Sequence, residues 1–269
     1  MASATKEIIP LEKGWKDIIQ MLGLLTEMMK NDFDQNKGRA FDNKQYMEVY
    51  NSVYNMCTQR TPHNWSAPLY ERHGDFTREY LTKEVLASLK ATSNTHILEQ
   101  LERRWGHHKI MVKWMSKFFM YLDRFYVQHH TVPKLKECGM NDFKSIVYQN
   151  IKANTTKEIL SVIRNDRDGL NIDKNLIKKI VAVYERMGME SLDTYTADLE
   201  KALLEETRLY YSQKGLEWLS AYDTPSYLQK AEEAFQKESD RVKAYLIGAT
   251  EKKLAKVCED ELQEKHEEA

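Results

Sequence analysis

Apolar residues recur at helical spacing along nearly the whole chain. The first run, from about residue 11 to 29, sets Trp15, Ile18, Ile19, Leu22, Leu25, Met28 and Met29 three and four apart, the mark of an amphipathic helix. It stops in the polar stretch NDFDQNKGR. The periodicity predicts a second helix around YMEVYNSVYNMC, residues 46–57, with Asp42 or Asn43 as its N-cap. After the loop TQRTPHNWSAP, helices are predicted at about 69–89, 95–105 and 107–127, the last ending before Pro133. The pattern restarts around Gly139, with helices at about 141–164, 173–187, 191–221, 225–247 and from 250 onward. Pro225 suits the first turn of the helix that begins there. No alternating run of β-branched residues is bounded by turns, so no strand is predicted. The pattern is that of an all-α protein.

The break near 131–140 divides these helices into halves of about five each. No strict short period of the tetratricopeptide or ankyrin kind is present. Two diverged structural repeats stacked end to end fit the pattern. The charged linkers SNTH, RNDRDGLN and SAYDTPS are short, which predicts rigidly joined halves.

Two helices carry more apolar surface than a core contact needs. In the second, Tyr46, Tyr50 and Tyr54 recur every four residues beside Val49, Val53 and Met56. At roughly 100° per residue the valines and Met56 point one way, the tyrosines lie beside them, and Met47 sits at the far margin. This arc is wider than the roughly 100° stripe that holds a surface helix on its core. Two readings are open at this point: a deeper core contact, or a surface meant for another protein. In the fifth predicted helix, Met111, Trp114, Met115, Phe118, Leu122, Phe125 and Tyr126 share one broad face, expected to be core. Opposite lie Lys109, Lys113, Lys117 and Arg124, with Met120 alone among them and Tyr121 at the border. A basic stripe is ordinarily just solvated. One with a large apolar residue at its centre also suits an interface that selects an acidic partner. Tyrosine suits either edge, because it buries a large ring while its hydroxyl stays hydrated.

Composition narrows the chemistry. Only 10 Gly and 5 Pro occur in 269 residues, too few for a sandwich or barrel of many short strands. A net charge of -1 supplies no overall drive toward nucleic acid or an anionic membrane. No apolar run approaches the roughly 18 residues needed to span a bilayer, and the start, MASATKEIIPLEKGW, is not a secretory signal. Cys57, Cys138 and Cys258 are far apart without CxxC spacing; they form neither a disulfide framework nor a zinc set, and a reducing, intracellular compartment is expected. The pairs His107–His108 and His129–His130 cannot grip one metal from a helix face, since adjacent residues point about 100° apart; they are expected at the surface. No phosphate-holding glycine loop is present, and the carboxylates are expected on solvated helix faces, with no apolar pocket to raise a pKa. No cofactor, metal or catalytic residue is predicted.

The stretches QYMEVYNSVYNMCTQ and PLYERHGDFTREYL resemble helix 2 and the start of helix 3 of the cullins, closest to the plant-type cullin of SCF (Skp–cullin–F-box) ubiquitin ligases. The resemblance continues through RRWGHHKIMVKWMSKFFMYLDRFYV, GMNDFKSIVYQNI, RDGLNIDKNLIKKIVAVYERMGM, DTYTADLEKALLEETRLYYSQKGLEWL and SYLQKAEEAFQKESDRVKAYL, nearly the whole chain in order. It implies an elongated stack of five-helix cullin repeats, about two of them, with repeat 1 over 1–135 and a truncated repeat 2 over 136–269. It also implies that helices 2 and 5 of the first repeat bind an acidic Skp-type adaptor carrying an F-box protein. By position, the adaptor-facing residues are then Tyr46, Met47, Tyr50, Asn51 and Tyr54 on helix 2, and Lys113, Lys117, Met120, Tyr121 and Arg124 on helix 5.

The implied role is a non-catalytic scaffold segment in ubiquitin-dependent protein degradation, in the cytoplasm and nucleus. Family members carry three repeats and a C-terminal domain that recruits a RING subunit, whereas this chain stops at DELQEKHEEA. It is therefore expected to be an excised N-terminal piece or a truncated cullin-like protein, with a RING subunit engaged only if a C-terminal domain exists beyond it. Trp114 and Lys117 mark a departure, since the adaptor-facing helix varies across the family. The alternatives are a truncated decoy that sequesters adaptors and a helical-repeat tether unrelated to ubiquitin.

Overall fold

The computed structural model describes residues 8–31 and 41–263, and among these every regular element is helical. Helix α1 (Leu11–Lys30) buries Ile18, Leu22, Leu25 and Met29, the spacing expected of one face. It packs on α2 (Asn43–Cys57). Gly14 of α1 lies where a Cβ would meet the Met56 thioether of α2, so the glycine lets that flexible side chain lie close against α1. Asp42, not Asn43, is the N-cap of α2: its Oδ1 accepts from the Gln45 amide at 2.7 Å, and Gln45 Oε1 accepts from the Asp42 amide at 3.0 Å.

Three of the long helices carry a wide, π-type turn within them, as does a fourth near its start. Helix α3 runs as Ser66–Tyr80, the wide turn Leu81–Leu86 and Ala87–Ala91. Helix α4 covers Ile97–Phe118, the wide turn Leu122–Tyr126 and Val127–His130. Helix α5 covers Leu135–Asp142, Phe143–Tyr148 and Gln149–Arg167. Then come α6 (Lys174–Met187), α7 (Asp193–Tyr195, the wide turn Thr196–Glu200, Lys201–Ala221), α8 (Thr224–Tyr245, with Pro225 in its first turn) and α9 (Glu251–Leu262). The helices predicted separately at 95–105 and 107–127 are thus one, which runs without a break through Gly106. The restart expected around Gly139 comes earlier, after Thr131 ends α4 in a left-handed conformation at φ 53°.

The chain falls into two compact units: residues up to 87 with 104–147, and 88–103 with 148 onward. These units are distinct from the repeats expected at 1–135 and 136–269, which concern family register.

In the first unit the core is aromatic and aliphatic, and it corrects the expected place of one histidine pair. His107 and His108 are buried; of the two pairs, His129–His130 is the exposed one. His108 donates from Nε2 to the Gly139 carbonyl at 2.9 Å and packs 4.8 Å from the Phe143 ring. Periodicity cannot distinguish such a histidine from a surface one, since a neutral imidazole with a carbonyl partner is at home in a core. Among the tryptophans, Trp105 is buried, whereas Trp15, Trp114 and Trp218 are only partly covered.

The second unit overturns the expectation that carboxylates are solvated. Glu200, Glu238 and Glu261 are each 2% exposed. Glu238 of α8 takes a two-pronged grip from Arg167, Nε to Oε1 at 2.9 Å and Nη2 to Oε2 at 3.2 Å, and Arg241 adds Nη1 to Oε1 at 2.9 Å. Arg241 also reaches Asp166 Oδ2 at 2.8 Å, and Tyr211 donates to Glu238 Oε1 at 2.7 Å. Two cations and two anions thereby neutralise one another between α5, α7 and α8, the condition for burying charge at tolerable cost. The RNDRDGLN stretch, read from sequence as a linker, supplies Asp166 and Arg167 to this cluster, and Gly169 at φ 84° turns the chain away after it.

Candidate protein interface

Helix α2 settles its double-width apolar arc in two ways. Val49, Val53, Met56 and Cys57 are buried and attach the helix to its core. Met47 is 44% and Tyr54 41% exposed, Asn51 is exposed, and Tyr46 and Tyr50 are half-buried. Residues four apart on a helix drift by about 40° per step, so the tyrosines form a slanting row. Their ring centroids lie 6.1 Å (Tyr46–Tyr50) and 6.4 Å (Tyr50–Tyr54) apart.

That row runs directly onto α4. Tyr46 stacks 6.4 Å from Phe118, and Tyr54 meets Tyr121 edge-on at 5.3 Å. Tyr121 in turn packs 4.6 Å from Phe125. The structure therefore gathers Tyr46, Tyr50, Tyr54 and Tyr121 into one aromatic track, and leaves Met47 and Asn51 exposed beside it. Partial burial pushes the Tyr121 hydroxyl above its ordinary pKa, with Cys57, Tyr54 and Tyr50 adding to the effect. It stays neutral, a hydrogen-bonding group on an apolar track.

The basic residues keep to the solvent side of α4. Lys113, Lys117 and Arg124 are exposed, and Met120 is half-buried between them. Lys117 holds its ammonium 4.7 Å from the Trp114 ring centroid, a cation–π contact that places the charge. Trp114 itself packs 5.0 Å from Phe41 and 5.6 Å from Phe118. Phe41, just before α2, is buried beneath this tryptophan.

Phe125 departs from expectation. The wheel put it on the core face of its helix, yet it is 57% exposed, and Tyr126 is half-buried. The wide turn Leu122–Tyr126 is the reason. At 3.6 residues per turn, Leu122 would be followed on the core face by 125 or 126; a wider turn delays that return to Val127, which is buried. No sequence period signals such a turn.

Among the described residues no group of three or more His, Cys, Asp or Glu could hold a metal ion, and no helix is long and apolar enough to cross a membrane.

A family model described as the cullin alpha solenoid domain matches residues 22–269. The chain belongs to the cullin family. It is 37% identical to Cullin-1 of Oryza sativa subsp. japonica over 97% of its own length and 35% of that protein. It is 35% identical to Putative cullin-like protein 1 of Arabidopsis thaliana over 96% of its own length and 35% of that protein. Cullin-like protein 3 of Arabidopsis thaliana is 30% identical, and there the match covers 93% of this chain and 94% of the relative. The cullin chain thus spans about a third of the length of the first two relatives. The all-α architecture and the helices carrying the aromatic track are those of a cullin solenoid.

Proposed function

We propose that this cullin chain is a non-catalytic scaffold segment of an SCF-type cullin–RING ubiquitin ligase. In this reading it docks a Skp-type adaptor, carrying an F-box protein, through α2 and the 113–124 segment of α4. The observation that supports the reading is the continuous ring track from Tyr46 to Tyr121, left open to solvent at Met47 and Tyr54 although α2 is already anchored by Val49, Val53 and Met56. Exposed aromatic and methionine side chains ringed by charge are what a protein interface is made of. Lys113, Lys117 and Arg124 favour an acidic partner, which fits such an adaptor. The role is the assembly of ligases for ubiquitin-dependent degradation, in the cytoplasm and nucleus.

Titration calorimetry against a purified adaptor–F-box complex tests this. Replacing Tyr46 and Met47 together by alanine should weaken binding by several kcal/mol, since central anchors commonly cost about 2 kcal/mol or more each. Melting temperature should stay close to that of the parent. Val53→Ala should do the opposite, lowering stability by about 1–3 kcal/mol through lost burial while leaving the intrinsic affinity in place. A double variant that binds like the parent removes the α2 assignment. One that unfolds shows that the Tyr/Met margin is core.

A further inference from the structure

The wide turn in α4 does more than accommodate strain. Comparable turns occur in α3 and α5, and there Leu81 and Val85 in one, and Phe143, Val147 and Tyr148 in the other, are buried, while Leu86 and Ile146 are partly covered. Only at Leu122–Tyr126 does the extra width carry a large aromatic ring outward. Phe125 is the most exposed ring of the track, at 57%, yet it is not adrift, because Tyr121 packs against it at 4.6 Å. A half-supported ring loses little further side-chain freedom when a partner covers it, which favours its use as a binding anchor.

Its surroundings indicate what should cover it. Arg124, next in the chain, is exposed, and Lys117 and Lys113 extend the same charge back along α4. The nearby carboxylate, Asp123, is only partly exposed and is occupied in accepting the Leu135 amide at 2.9 Å. Beyond Phe125 the surface therefore offers an apolar knob with cationic borders. The complementary feature is an apolar socket rimmed by carboxylates.

We infer that Phe125 is a specificity-determining anchor of the partner-binding face, delivered there by the wide turn, and that it enters a carboxylate-rimmed apolar socket on the acidic partner. This rests on the adaptor reading and extends its contact surface past Tyr121, where the resemblance had ended the apolar set. The test uses the 269-residue chain and a purified Skp-type adaptor–F-box complex. Calorimetry is run on the parent, Phe125→Ala, Phe125→Leu, Arg124→Gln and the Tyr46→Ala/Met47→Ala control, each with a melting curve.

Phe125→Ala should weaken binding about tenfold or more at an unchanged melting temperature, and Phe125→Leu should recover most of that loss by restoring apolar bulk. Arg124→Gln should weaken binding less and reduce its salt dependence. If Phe125→Ala stays within about twofold of the parent while the control loses binding, the anchor is refuted and the adaptor reading stands. The anchor is equally refuted if Phe125→Ala lowers the melting temperature by several degrees, since the ring would then be structural. If the parent does not bind, or the control binds like the parent, the adaptor reading itself falls and the anchor with it.

Discussion

Replacing Glu238 by glutamine should be among the most damaging single changes to the second unit, although it alters neither size nor shape. Oε1 of Glu238 accepts three hydrogen bonds, from Arg167 Nε and Arg241 Nη1 at 2.9 Å each and from the Tyr211 hydroxyl at 2.7 Å. Oε2 takes the fourth from Arg167 Nη2 at 3.2 Å. Every neighbour is a donor, so either orientation of the new amide points an NH2 group at a donor. The charge balance fails as well. Arg167 and Glu238 are 1% and 3% exposed in their side chains, so the arginine would keep its charge in a site that water does not reach. Burial works against the Arg167 cation, and Glu238 beside it, with a smaller contribution from Tyr211, holds its pKa above the ordinary value.

Removing one partner of a buried ion pair costs about 3–5 kcal/mol, while replacing both by apolar residues of similar volume costs far less. Glu238→Gln should therefore lower the opening free energy of α7 and α8 amides by about 3–5 kcal/mol in native-state hydrogen exchange. This measurement suits a chain of two compact units better than a single unfolding midpoint does. Arg167→Met combined with Glu238→Leu should be less destabilising than Glu238→Gln alone. A cost below about 1 kcal/mol for the single change, or a double variant as unstable as the two single changes added together, would refute the account.

Burial pushes both His73 and His108 down to about 4 from an ordinary value of 6.5, so between those values the folded chain binds fewer protons than the unfolded one. Each histidine's contribution is fully present above about pH 6.5 and is lost as pH falls toward 4, at about 1.4 kcal/mol per pH unit. Urea midpoints measured across this window should fall less steeply for His108→Phe than for the parent, and parallel curves would show that His108 plays no part. Desolvation holds the Cys57 thiol up at about 11 and Cys258 at about 12, which keeps both protonated. Iodoacetamide at neutral pH should modify the half-buried Cys138 first and reach the other two only on unfolding; mass mapping that finds Cys57 or Cys258 labelled in the native chain would contradict their burial.

Much of the candidate interface was legible from spacing alone. The split of α2 into a buried valine stripe and an open Tyr/Met margin follows from a fixed angular increment, whereas spacing left Asp42 and Asn43 both open as the N-cap and the structure chose Asp42. Lys113 and Lys117 lie on the solvent side by the same regular increment, because that part of α4 is a regular helix. Phe125 was misplaced where regularity ends, since one widened turn shifts the phase of every residue after it.

What the sequence by itself determined is whatever depends on local periodicity: an all-α chain, and two helices with an apolar margin wider than a core stripe. Only the tertiary structure decided which polar groups lie inside. His108 is internal because the Gly139 carbonyl and the Phe143 ring come to meet it, and Glu238 because Arg167, from a stretch that reads as a linker, arrives from 71 residues away to match its charge. It also decided that the tyrosine row of α2 continues onto Tyr121 and Phe125 of α4. A hydrophobic period records how one helix divides core from solvent; the partner that makes a buried charge tolerable, or joins two apolar margins into one surface, belongs to another part of the chain and leaves no trace in that period.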